Sequence, residues 1–160
     1  MAGQILGKAA VYDGKYVVQT QSYGAEARGS AAKSEVIISD EPIKFPMIRR
    51  CDILVAMSQA AMNRHLNDLK DDGVLLVDKD MIKEIPKVNA EILRVPATSS
   101  AEAKFKRRIY ANAVMLGALT KATGIVSQKA MENAIKDSIP EDMLGKNLQG
   151  FELGLRLVSS

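Results

Sequence analysis

Apolar positions along this chain follow two spacings. Ile5, Leu6, Ala9 and Ala10 recur on one helical face, which predicts a helix over residues 3–12, broken by Asp13-Gly14. Tyr16-Val17-Val18 within 15–21, and Val36-Ile37-Ile38 within 33–39, are β-branched and aromatic runs that predict two short strands. Pro42 and Pro46 punctuate the stretch after the second strand. Residues 52–57 read as a fully buried strand. Residues 58–69 read as a helix through Ala61, Met62, His65, Leu66 and Leu69, with Ser58 as its N-cap and Asp72-Gly73 as its stop. Val74-Leu75-Leu76-Val77 predicts another buried strand, closed by Asp78, and residues 91–95 a further one, stopped by Pro96. The last third is helical. One helix is expected over 101–122, capped by Ser100 and ended by Thr123-Gly124. A second is expected over 128–138, capped by Ser127. After the interruption at Pro140, a third closes the chain over 147–158.

Strands apolar on both faces, alternating with helices, predict an α/β fold with a parallel sheet. No repeat, low-complexity segment or linker divides the chain, so residues 1–160 are expected to form one domain. The helix over 101–122 begins with Lys104, Lys106, Arg107 and Arg108. It becomes apolar on nearly every side between Ala111 and Leu119. A helix without a polar face is buried; here that means either the central core helix or a surface covered by a partner. The basic run is a solvated face, or a docking point for phosphate or a protein partner.

Composition narrows the function classes. A net charge of +3, with aromatics at 4% and no Trp, argues against nucleic-acid binding. No apolar run reaches the roughly 18–20 residues that span a bilayer. The first residues lack the basic-then-apolar order of a signal peptide, so a cytoplasmic location without membrane contact is expected. The single cysteine, Cys51, precedes an apolar run and reads as an inert, partly buried thiol. One Cys and one His, His65, make neither an iron–sulfur site nor a four-ligand zinc site. His65 sits among Leu66 and Leu69 on a predicted helix and reads as structural rather than as a general base.

The most unusual stretch is Gln19-Thr20-Gln21-Ser22-Tyr23-Gly24-Ala25-Glu26-Ala27-Arg28-Gly29-Ser30. It sets hydroxyls, two glycines, a carboxylate and a guanidinium between two strands. Loops beyond the carboxyl ends of strands hold ligands in α/β sheets, and glycines let the backbone approach a ligand closely. Arg28 can grip a phosphate or carboxylate through two hydrogen bonds, or it can pair with Glu26. Ser58-Gln59, after the central strand, is either a helix cap or a second ligand contact.

These residues carry a resemblance. Ser22, Tyr23, Gly24, Glu26, Arg28 and Gly29, followed by Ser34, Glu35, Val36, Ile38 and Ser39, resemble the gamma subunit of 2-oxoacid:ferredoxin oxidoreductases. The likeness continues through Asp52-Ile53-Leu54-Val55-Ala56-Met57-Ser58-Gln59-Ala60, Gly73 to Asp78, and Leu116-Gly117-Ala118-Leu119. It extends on through Gly124-Ile125-Val126-Ser127 to Asn147, Phe151 and Gly154. Val17 to Gly24 is most similar to the 2-oxoglutarate branch. Two departures stand out. Members of the family open with a strand and a glycine-rich turn, whereas this chain starts at what resembles the following helix. That is the expected mark of a truncated start or an upstream start codon, and it leaves a gap in the predicted sheet. Ser30 also stands where glycine is common.

The resemblance implies a Rossmann-like, mostly parallel sheet flanked by helices, with a helical C-terminal third and without the family's first strand and glycine-rich turn. It implies oxidative decarboxylation of 2-oxoglutarate to succinyl-CoA by a multisubunit enzyme in which this chain is inactive alone. Thiamine diphosphate, Mg2+ and [4Fe–4S] clusters would sit on partner subunits, with coenzyme A as co-substrate. The implied partners are alpha, beta and ferredoxin-like delta subunits, with ferredoxin as electron acceptor; the isolated chain is expected to pair as a homodimer. Ser22, Tyr23, Gly24, Glu26, Arg28, Gly29 and Ser58 are the implied cofactor-facing residues, with no catalytic or metal-binding residue on the chain. Two alternatives stay open at this level: a gamma subunit for pyruvate, branched-chain 2-oxoacids or indolepyruvate, and a stand-alone nucleotide- or acyl-CoA-binding module.

Overall fold

A computed structural model describes residues 1–23 and 32–158. Helix α1 (Ala2–Tyr12) leads into strands β1 (Tyr16–Ser22) and β2 (Lys33–Ser39). Then come β3 (Cys51–Ala56), α2 (Gln59–His65), β4 (Leu69–Asp78), β5 (Ala90–Val95), α3 (Ala97–Phe105), α4 (Ala111–Thr123), α5 (Gln128–Ser138) and α6 (Glu141–Leu157).

The strands form two sheets. β3, β4 and β5 pair in parallel with β4 in the middle. The sequence of β4 follows from that place: Leu75, Leu76 and Val77 are all fully buried, because helices cover both faces. Leu75 and Val77 face Met62 of α2, whereas Leu76 joins Val95, Val114 and Ala118 under α3 and α4. β1 and β2 instead pair antiparallel in a two-stranded sheet of their own, with Val17 opposite Ile38 and Gln19 opposite Val36. The expected parallel sheet is therefore β3-β4-β5, and the two N-terminal strands form a hairpin beside it. Among the described residues β3 pairs only with β4, so its other edge is open. Val55 on that strand is 38% exposed, and Ile53 and Leu54 are half-buried.

Helix α4 is the central helix, buried from Ala111 to Thr120 apart from Asn112. Its cover is the chain itself, chiefly α6, which decides between the two expectations for it. The two helices cross at backbone contact. A Cβ at Gly154 would lie 1.9 Å from the Val114 carbonyl oxygen, and one at Gly117 would lie 2.1 Å from that of Phe151. No side chain larger than hydrogen fits there.

Several element boundaries differ from expectation. The helix expected over 101–122 is two helices. Lys106 adopts the left-handed conformation (φ 60°), Arg107 is extended, and a 3-10 turn spans Arg108–Tyr110. The bend lets Phe105 and Tyr110 stack with centroids 5.0 Å apart inside one core. On an unbroken helix they would point about 140° apart. Lys104, Lys106, Arg107 and Arg108 remain exposed on the outside of the bend, and Arg108 pairs with Glu102. Second, α2 stops at His65, and β4 begins at Leu69 rather than at Val74. Leu69 pairs with Cys51 and Val74 with Ile53, so residues 70–73 bulge opposite a single residue of β3. Asp72 takes the left-handed conformation there (φ 61°) and donates its N–H to the Asn89 carbonyl at 2.7 Å. Third, α6 starts six residues early, directly after Pro140.

Candidate functional site at the hairpin end and the carboxyl edge of the sheet

The β1–β2 hairpin changes character along its length. Next to the turn that joins α1 to β1 its rungs are Val17–Ile38 and Val18–Ile37; towards the other end they are Gln21–Ser34 and Ser22–Lys33. Thr20, Gln21 and Ser22 are exposed, and Ser34 opposite Gln21 lies against Gly3 at the start of α1, so the polar end is an exposed arm backed on one strand by that helix. A Lys33–Glu35 ion pair at 2.7 Å and a Gln19–Ser34 hydrogen bond at 3.0 Å brace it. Ser22 closes β1 and Tyr23, 71% exposed, comes directly after it. Gly24, Glu26, Arg28 and Gly29 lie outside the described residues. The geometry corrects one step in the sequence reasoning. The segment after β1 joins two antiparallel strands, whereas a ligand loop of a parallel sheet joins a strand to a helix.

Ser58 lies at the carboxyl end of β3. Its Oγ accepts a hydrogen bond from the Ala61 N–H at 3.2 Å and so caps α2. A hydroxyl that accepts one bond as a cap keeps its proton to donate. Gln59 is a clamp. Its Oε1 accepts the N–H groups of Lys83 and Glu84 at 2.8 and 3.2 Å, and its Nε2 donates to the Glu84 carbonyl at 2.8 Å.

The carboxyl end of β4 holds a group that sequence reasoning passed over. Asp78 is fully buried. Its carboxylate accepts the Thr98 hydroxyl at 2.6 Å and the Asp80 N–H at 3.1 Å, and lies 3.5 Å from the Thr98 N–H. Asp80 accepts the Ser99 N–H at 2.7 Å. Partial burial works against the charge on Asp80, but the Ser99 hydrogen bonds, with Lys79 and Lys83, outweigh it and hold the carboxyl below its ordinary value. Helix α3 thus starts at Ala97 rather than after Ser100, because two carboxylates from the β4 end take up its free N–H groups. Only the acidic ending of the β4 run hinted at this.

Cys51 is half-buried. Burial pushes its thiol up from the ordinary value, and the carboxylates of Asp68, Asp52 and Glu35 add to the effect against an opposing backbone hydrogen bond. The thiol is therefore held in its unreactive form. His65 Nδ1 lies 3.1 Å from Asp68 Oδ2, a local pairing at the end of α2. Among the described residues no helix is long and apolar enough to cross a membrane.

Comparison with known proteins adds a second line. The family model described as pyruvate ferredoxin/flavodoxin oxidoreductase matches residues 1–157. The 2-oxoglutarate synthase subunit KorC of Methanocaldococcus jannaschii is 52% identical over 157 residues, covering 96% of this chain and 84% of that protein. The pyruvate synthase subunit PorC of Thermotoga maritima is 32% identical over 163 residues, covering 96% and 84%. Among solved structures, the keto/oxoacid ferredoxin oxidoreductase gamma subunit of Geobacter sulfurreducens PCA superposes with a TM-score of 0.85. It is 41% identical, with 97% of this chain and 88% of that one covered.

Proposed function

This chain belongs to the pyruvate ferredoxin/flavodoxin oxidoreductase family, and on that premise we propose that it is the gamma subunit of a multisubunit 2-oxoglutarate:ferredoxin oxidoreductase. The complex converts 2-oxoglutarate and coenzyme A to succinyl-CoA and carbon dioxide, and passes two electrons to ferredoxin. One observation carries the choice of substrate: identity is 52% to a relative named for 2-oxoglutarate and 32% to one named for pyruvate, at equal coverage.

The chain's own chemistry fits a supporting place in that complex. Iron–sulfur clusters take about four thiolates, and this chain has one cysteine, Cys51, held protonated by burial. The clusters do not fit here and belong to the partner subunits, as do thiamine diphosphate and its Mg2+. Thiamine diphosphate supplies carbanion stabilisation when bound there. The alpha, beta and ferredoxin-like delta subunits are the partners, in the cytoplasm. Residues 1–160 act as one domain.

The hairpin arm faces the coenzyme A side of the shared site. Ser22 and Tyr23 offer exposed hydroxyls at its end. Gly24 and Gly29 permit close approach of a ligand. Arg28, with Glu26 two residues before it in sequence, binds an anionic group of coenzyme A through paired hydrogen bonds. Ser58 has a hydroxyl proton left to donate. In the assembled enzyme, Arg28→Ala raises the KM for coenzyme A by about tenfold or more, the loss of one charge-assisted contact, and leaves the KM for 2-oxoglutarate unchanged. An unaltered KM for coenzyme A in an intact complex removes Arg28 from the site. Faster coenzyme A-dependent viologen reduction with pyruvate than with 2-oxoglutarate reverses the substrate assignment.

A further inference from the structure

The connection from β2 to β3 carries more apolar surface than it uses. Ile43 and Ile48 are half-buried. Between them Phe45 is 83% exposed and Met47 82% exposed, the most exposed large apolar side chains among the described residues. The segment is fixed at both ends. Asp40 pairs with Lys15, the Glu41 N–H donates to Ser39 Oγ at 3.1 Å, and Arg50 Nη2 donates to the Leu69 carbonyl at 2.8 Å. Pro42 and Pro46 stiffen the backbone between these ties. Phe45 and Met47 are flanked by Lys44 and Arg49, both exposed and neither ion-paired with a described residue.

We propose that residues 43–49 are a preorganised docking knob whose Phe45 and Met47 side chains enter an apolar pocket with an acidic rim on a partner subunit. The inference rests on the subunit reading above and adds the place and chemistry of contact. Single exposed apolar residues are ordinary, but an aromatic and a methionine held out side by side are the composition of an interface centre. Ties at both ends lower the ordering cost of docking. Against the collar of Lys44 and Arg49 stands one exposed carboxylate of the segment outside the described ion pairs, Glu41, so the collar keeps a net positive charge that sets the sign of the rim it meets. It falls short of the clusters of roughly four to eight basic residues that hold anionic lipid surfaces, so the occupant is a protein.

The test uses the full chain co-expressed anoxically with the alpha, beta and delta subunits from the same source, with assembly affinity measured by dilution and mass photometry. F45A/M47A weakens assembly by roughly 30-fold or more, the loss of two interface anchors, while F45L/M47L stays within about threefold because apolar volume is retained. K44E/R49E slows association and removes its weakening by salt. The isolated F45A/M47A chain melts where the unaltered chain does, since neither side chain packs in the core. F45A/M47A assembling with undiminished affinity overturns the proposal, as does salt-independent association of the unaltered chain or its cosedimentation with anionic vesicles through Phe45 and Met47. If the unaltered chain forms no complex, the subunit reading fails and the knob falls with it. Assembly of both the unaltered and the substituted chain removes the knob alone.

Discussion

Charged and polar side chains near the sheet ends are committed to structure one by one. Asp78 and Asp80 serve the start of α3, Gln59 holds the segment at Lys83 and Glu84, and Ser58 caps α2. A ligand at this edge would compete with hydrogen bonds already made, except at the Ser58 hydroxyl, which accepts one bond as a cap and keeps its proton. Cys51 allows a direct check on residue environment. Its raised value means that the fold is favoured by the protonated thiol. That contribution is intact below pH 9.0, the ordinary value, and is lost as pH climbs through the folded value. Iodoacetamide labelling of the native chain is accordingly slower at pH 8 than labelling of the urea-unfolded chain, and its rate still rises beyond pH 9.0. Equal rates in the two states would mean that the thiol is not desolvated.

At the scale of elements, the α4–α6 crossing is the tightest constraint. Gly154→Ala places a methyl against the Val114 carbonyl, an overlap that backbone cannot relieve without separating the helices. It destabilises the chain by about 3 kcal/mol and lowers the melting temperature by roughly 6–12 °C, as calorimetry would register. Gly145→Ala on the same helix meets no neighbour and leaves melting unchanged or slightly raised. What could be read from sequence divides along the same line. β3, β4, β5, the Ser58 and Ser127 caps and the left-handed Gly124 stop were legible because each is specified by residues within a few positions of itself. The split between α3 and α4 was not, because it goes with the Phe105–Tyr110 stack, and the early start of α3 was not, because it rests on carboxylates about twenty residues upstream. The antiparallel sense of β1 and β2 was not legible either, since alternation has the same period in both senses. The candidate loop declared itself by composition. Phe45 and Met47 could be seen as apolar residues around a proline, but only the fold shows that nothing covers them.

For the molecule as a whole, the split into two sheets matters most. Among the described residues β3 keeps one edge unpaired, which leaves a row of free backbone donors and acceptors, and it lacks the lysines and prolines that usually guard such edges. The isolated chain therefore self-associates through β3, and its sedimentation coefficient rises with concentration. Val55→Lys puts a charge on that edge at a position already 38% exposed and returns the chain to a monomer. Persistence of the concentration dependence in this variant would place self-association elsewhere.

One clasp joins α1 to α5, more than a hundred residues on. Asp13, at the end of α1, accepts the Ser127 N–H at 2.6 Å and the Ser127 hydroxyl at 2.7 Å, and Tyr12 bonds to Asp137. Ile5, Ala9 and Ala10 of α1 pack against Met131 and Ile135 of α5 in one cluster. On the ribosome this means a long wait. The first helix leaves the exit tunnel with its apolar face bare, and its partner is not translated until more than a hundred codons later, an interval on the order of ten seconds. Slow codons ahead of α5 lengthen the time for which that face stays uncovered.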